Sequence, residues 1–146
     1  MACIHTTIAE AVTDALNAAT LSQTFTATRV YVPEIELRLN EDAIAVRVWP
    51  APEGRISTFA DRSRIKRDYP IYVGVLRRCD IDVNATVDAY AALLEEIEDL
   101  FLGSRLTGYT SAFCTASEQI ALYAWENLRR NRQYVGVIKL TFMRVE

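Results

Sequence analysis

With one histidine, His5, and five glycines among 146 residues, the chain is short of the residues on which several common chemistries depend. His5 stands beside the N-terminus, and no acid or nucleophile lies at a spacing that local structure would bring to it, so it is read as noncatalytic. Scarce glycine speaks against a phosphate-cradling loop, and the sequence contains no dinucleotide fingerprint, no P-loop and no HExxH motif. Cys3, Cys79 and Cys114 are odd in number, widely spaced and form no CxxC pair. That argues against a disulfide framework and a zinc site, and for reduced thiols in a cytoplasmic setting. With no histidine base to serve them, Cys79 and Cys114 are expected to be buried and structural. No apolar run approaches the roughly 18 residues of a membrane helix. The opening MACIHTTIAEAV also lacks the basic start and apolar block of a secretory signal, so a soluble protein not exported by that route is expected.

What is present suits one domain over residues 1–146: 51% hydrophobic and 24% charged residues, with a net charge of −3 that is too small to imply strong nonspecific attraction to nucleic acid. The stretch from Ile44 to Leu76 organises the rest. Ile44, Val46 and Val48 alternate with Ala45, Arg47 and Trp49, and Ile71, Val73 and Val75 with Tyr72, Gly74 and Leu76, the period of two that strands require. Between them, Pro50 to Tyr69 holds only Ile56, Phe59 and Ile65 as large apolar residues and cannot build its own core. It is predicted to be a long polar excursion of a β-ribbon. Connections beyond about 12 to 15 residues tend to be functional arms or disordered segments.

Around this ribbon, Ile4, Ile8, Val12, Ala15, Leu16 and Ala19 fall at helical spacing, with Thr7 and Glu10 as a candidate capping box. Thr20 to Val32 alternates as a first strand closed by Pro33, and Ile35 to Leu39 is strand or turn before the turn residues Asn40, Glu41 and Asp42. Val83, Val87, Tyr90, Leu94, Ile97 and Phe101, spaced four, three, four, three and four residues apart, predict a long amphipathic helix. Asp82 or Asn84 can cap its start and Gly103 its end. Ser104 to Ser117 reads as a connection. Ile120 to Trp125 and Ile138 to Met143 read as strands joined by a polar turn from Glu126 to Gln133. The order predicts an α+β fold: an antiparallel sheet of four to five strands, two helices packed on one face, and a long β-ribbon loop.

The charges are segregated. Asp88, Glu95, Glu96, Glu98 and Asp99 occur on the long helix with no Lys or Arg among them, so the face is either merely solvated or suited to a basic partner. From Glu53 to Asp68, Arg55, Arg62, Arg64, Lys66 and Arg67 outnumber three acidic residues, and Arg129, Arg130 and Arg132 form a second basic segment. Either is a solvated loop or a contact for such a face. Nucleic-acid readout ranks lower, because interleaved aromatics and any groove-reading motif are missing.

The helix IAEAVTDAL, the strand ending in TRVYVPEIEL, VRVWPAP with its Arg-bearing loop, YPIYVGVL, the helix VDAYAALLEEIEDLFLG and the closing GVIKLTFMRV together resemble the tail terminator and tail completion proteins of tailed bacteriophages. The likeness spans almost the whole chain and is one of order and hydrophobic pattern rather than of a chemical signature. Neighbouring neck proteins, which join head to tail, share this kind of fold. The resemblance implies a nonenzymatic structural protein without cofactor or metal. It would form a homo-oligomeric ring, often hexameric, that stops tail-tube growth and presents a surface to the head connector. Its partners would be further copies, the tail tube protein and the connector or neck protein, with DNA passing through without sequence-specific binding. Its place would be the virion, after assembly in the host cytoplasm, and no membrane is implied. The interface residues are then Arg55, Arg62, Arg64, Lys66, Arg67, Glu95, Glu96, Asp99, Arg129, Arg130 and Arg132. A small cytoplasmic α+β enzyme or ligand-binding module, with its pocket between the long loop and the sheet, is the alternative.

Overall fold

The alternation at Ile71 to Leu76 marks only the middle of a strand that runs for 14 residues, and the fold is assembled on it. A computed structural model describes residues 3–32, 44–78, 84–130 and 132–145. In chain order the elements are α1 (Ile4–Ala18), β1 (Phe25–Arg29), β2 (Ile44–Pro50), β3 (Ile56–Phe59), β4 (Ile65–Arg78), α2 (Asn84–Phe101), β5 (Arg105–Leu106), β6 (Tyr109–Ala121), α3 (Trp125–Arg130) and β7 (Gln133–Val145). The sheet runs β1-β2-β4-β7-β6-β5, and β3 pairs with β4. β7 lies along one side of β4 from Lys66 to Arg78, so β2 and β3 share its other side, β2 against Ile71 to Leu76 and β3 against Ile65 to Asp68.

The α+β class is as expected, but among the described residues the sheet has seven strands and is mixed rather than four to five strands all antiparallel. β1 runs parallel to β2, pairing Phe25 with Ile44 and Arg29 with Val48. Alternation of side chains reports which face a residue takes and is blind to strand direction, which is why the sequence did not reveal it. The first strand is also shorter than Thr20 to Val32. Ile35 to Leu39, the turn residues Asn40 to Asp42, Cys79 and the candidate cap Asp82 lie outside the described residues.

Both long helices lie on one face of the sheet, as predicted. Ile8, Val12 and Leu16 of α1 and Leu93, Leu94, Ile97 and Phe101 of α2 join one buried cluster with Val46 and Val48, Ile71, Val73 and Val75, and Ile138, Leu140 and Phe142. α1 packs against β1, β2 and β4 and also against β5 and β6, which stand at the far end of the strand order. The sheet therefore curls around α1. α2 packs on β7, where Phe101 meets Phe142 edge-on at 6.2 Å and Tyr90 meets Tyr134 at 5.7 Å. Gly136 permits the approach: a Cβ there would lie 3.1 Å from Leu94 Cδ2 and 2.7 Å from the Tyr134 hydroxyl. Gly103, with φ +78°, ends α2 as expected. No helix among the described residues is long and apolar enough to cross a membrane.

Three further expectations are corrected. The Ser104–Ser117 connection is the hairpin of β5 with the first part of β6. Leu106 is the large inward residue of β5, but those of β6, Ala112 and Cys114, are fully buried and small, so the alternation along β6 carried little apolar weight. The strand assigned to Ile120 to Trp125 stops at Ala121, and most of the turn from Glu126 to Gln133 is the third helix, α3, Gln133 itself opening β7. The capping box is absent: Cys3 is the N-cap and makes no side-chain cap bond, while Thr7 Oγ1 donates to the Cys3 carbonyl at 3.1 Å from within the helix.

Candidate assembly surface

The Pro50 to Tyr69 excursion is not an irregular loop. Ser57, Thr58 and Phe59 pair with Arg67, Lys66 and Ile65, so β3 and the start of β4 form a hairpin arm that continues the sheet beyond its core. Two things order it without a core of its own. β7 follows β4 as far as Lys66, opposite Val145, so that part of the arm's backbone is satisfied on both sides. At the tip, Asp61 Oδ1 accepts from the Ser63 and Arg64 amides at 2.9 and 3.0 Å, Arg64 Nε donates to Asp61 Oδ2 at 2.6 Å, and the Ala60 amide donates to the Arg64 carbonyl at 3.0 Å. The Ser63 amide, followed by the Arg64 side chain, holds the Asp61 carboxyl below its ordinary pKa.

The arm's side chains face out. All four residues of β3 are exposed, Ile56 by 60% and Phe59 by 81%. The expectation that this stretch buries little of its own apolar surface is therefore met, although its backbone is regular. The five basic residues do not form one patch. Arg62 and Arg64 are exposed at the tip; Lys66, 3.7 Å from Asp68, and Arg67 are half-buried neighbours on opposite faces of β4. Arg55 sits at the base, its guanidinium 6.0 Å from the centre of the Tyr69 ring and its Nη1 donating to the Tyr69 hydroxyl at 3.4 Å.

The acidic helix is likewise divided. Glu95 and Asp99 are exposed, as is Asp88. Glu96 instead accepts from the Ser22 hydroxyl at 2.6 Å and amide at 3.3 Å, and Glu98 accepts from Ser117 at 2.7 Å and Gln119 at 3.3 Å. Those two carboxylates tie α2 to the segment after α1 and to β6, so they serve the subunit's own packing. The third predicted group lies on and just beyond α3: Arg129 and Arg130 are exposed in its last turn, with Arg129 5.5 Å over the Trp125 ring, and Arg132 adopts φ 47°.

Residues that sequence reasoning left out define two apolar surfaces. Ile120, Leu122, Tyr123 and Trp125 are exposed by 37–57% where β6 gives way to α3, beside Arg129. β5 covers β6 only near Tyr109 and Phe113, so among the described residues no strand lies beside the outer edge of the later part of β6. The second surface is a groove of about 610 Å³ between α1, the C-terminal end of α2 and the β5–β6 hairpin. Ala11, Ala15 and Ala18 form one wall, with Asp14 among them, and Leu100 and Phe101 another. The signal for it was in the sequence as the run of alanines on one side of α1, which reads equally well as close helix packing.

The thiols and the histidine are placed as follows. His5 is buried, donates through Nε2 to the Pro70 carbonyl at 2.7 Å and packs edge-on against Tyr69 at 5.4 Å. Burial pushes the Cys114 thiol up to about 11, which leaves it protonated at neutral pH. Cys3 is exposed at the start of α1, its pKa lowered chiefly by the Thr6 backbone amide. Among the described residues, no three His, Cys, Asp or Glu side chains converge to hold a metal ion. No protein-family model matches the sequence, and comparison with curated proteins finds no match.

Proposed function

We propose that this chain is a structural subunit of a phage neck or tail terminus, assembling into a homo-oligomeric ring that ends tail-tube growth and offers a joining surface to the head connector. The observation that carries the proposal is the hairpin arm. A regular ribbon extends past the core, with Ile56 and Phe59 exposed by 60% and 81% and Arg62 and Arg64 at its tip. An ordered projection with that much apolar surface in water suits a subunit whose folded state is completed by a neighbour. Shape and charge complementarity between copies would hold the ring, and no catalytic group is required of it. The tail tube and the head connector or neck protein are the proposed partners, and DNA would pass through the ring without sequence-specific contacts.

Sedimentation velocity of the purified protein, followed by imaging after its addition to tail tubes, tests the reading. Closed rings, free or seated on tube ends, are the expected result; a subunit that stays monomeric at high concentration and ignores tail tubes would overturn it. The alternative, a ligand-binding module or small enzyme, was expected to hold its pocket between the long loop and the sheet; the groove between α1 and α2 offers a different place for it. Its volume falls in the range of about 300–1,000 Å³ typical of small-molecule sites. Tight binding of a small molecule there by a permanently monomeric protein would favour that alternative.

A further inference from the structure

Building on the ring reading, we propose that the arm of one copy inserts into the α1–α2–β5 groove of the next, with Ile56 and Phe59 as apolar anchors and Arg62 and Arg64 on the groove's acidic rim. Ile56 and Phe59 are three residues apart in one strand and so stand on opposite faces of the ribbon. A flat partner surface would bury only one of them. A cleft can bury both, and the groove, walled by Ala11, Ala15 and Ala18 on one side and Leu100 and Phe101 on the other, is such a cleft. Its alanines leave the space that the two large side chains would fill. No residue of the arm lines the groove of its own subunit, so the occupant comes from a second copy.

Charge selects between the two apolar surfaces. Asp14 lines the groove, and Asp99 is exposed on α2 next to Leu100. Arg105, also at the groove, is turned to the Thr110 carbonyl at 3.1 Å. Asp14 and Asp99 together outweigh the charge that Arg105 keeps, and that balance attracts a basic arm. The other patch, around Trp125, carries Arg129 and Arg130 against Glu126, a balance less favourable to it. Because arm and groove are different surfaces, the contact is heterologous: each copy gives one arm and receives one, and the chain of contacts closes into a ring when the rotation between copies permits.

The test compares wild type with Phe59→Asp and Ala18→Arg by sedimentation velocity, circular dichroism confirming that each is folded. Both residues are exposed, so neither change disturbs the subunit's core. Each variant is expected to assemble at least about tenfold more weakly than wild type, as loss of a hot-spot anchor does. In a Cys3→Ser background, copies carrying Phe59→Cys mixed with copies carrying Ala18→Cys should form a disulfide between residues 59 and 18 under mild oxidation, identified by mass spectrometry. If both single variants assemble like wild type, or if assembled material yields no such disulfide, the arm does not sit in the groove, although rings would still stand as the functional reading. Where wild type assembles only on tail tubes, the same disulfide is sought there, and its absence overturns this contact and spares that reading; wild type that neither assembles nor caps tubes overturns both.

Discussion

One strand, β4, belongs to two regions that are stabilised in different ways. From Ile71 to Val75 its inward side chains are fully buried between Val46 and Val48 of β2 and Ile138 and Leu140 of β7, in the core that both helices share. From Ile65 to Asp68 it is half-exposed, and its partner β3 is exposed throughout. Backbone pairing is continuous across both halves, so the ladder alone does not distinguish them. Apolar burial does: at about 25 cal/mol per Å² it drives folding of the lower half, whereas the arm leaves its apolar surface exposed.

The sharpest way to break the comparison is to attack the core. Leu94→Ala and Ile97→Ala remove fully buried side chains and should each destabilise the subunit by about 2 to 5 kcal/mol in urea or thermal unfolding. Near-wild-type unfolding of both would mean that the α2 stripe is not core. Next comes charge reversal. Replacing Arg62 and Arg64 with Glu should leave folding intact but weaken assembly, since repulsion across an interface costs several kcal/mol whereas a lone exposed pair contributes about 0 to 1. Lys at Glu95 and Asp99 should restore it in part, and wild-type association should weaken as added salt shortens the Debye length below about 10 Å. These four positions are better probes than Arg67, which is half-buried, or Glu96, whose loss would also release Ser22. Failure of the lysine variant to rescue would point the arm at the tube or the connector.

A smaller effect separates tip from ladder. Trypsin should cut the free subunit first at Arg62 or Arg64, more slowly at Lys66 and Arg67 within paired β4, and at none of them in the assembled particle. Equal susceptibility in both states would remove the arm from the interface. The smallest effect concerns Asp61. Its carboxyl is held below the ordinary value by the Ser63 amide and the Arg64 side chain, so its contribution to the tip is fully present above that ordinary value, about 4, and is lost as pH falls through its lower folded value. NMR titration should show the Ser63 and Arg64 amides shifting and exchanging faster only in that acid window. A flat response there would detach the tip's order from this carboxylate.

The long helix and both strands of the central ribbon were legible because their apolar residues are large and strictly periodic: Leu94, Ile97 and Phe101 on α2, Ile71, Val73 and Val75 on β4. The β5–β6 hairpin was not, since β5 offers only Leu106 inward and β6 the small Ala112 and Cys114, which register weakly beside Tyr109 and Phe113. The third helix was hidden for a related reason. α3 has six residues, none of them buried, and rests on the core through the half-buried Leu128, too little to leave an amphipathic stripe. At the candidate surface, the basic and acidic segments were visible as composition. Ile56 and Phe59 appeared only as two stray apolar residues in a polar loop.

By itself, then, the sequence determined the side-chain faces: where apolar residues recur at 2.0 or 3.6 residues, local backbone geometry decides which of them point together, and no distant contact is needed to know it. Only the tertiary structure decided the direction of β1 beside β2, the extension of β4 into an arm, the division of the acids between packing and exposure, and the groove left open between α1 and α2. Each of these depends on which segments meet across long stretches of chain, and residue periodicity carries no term for that.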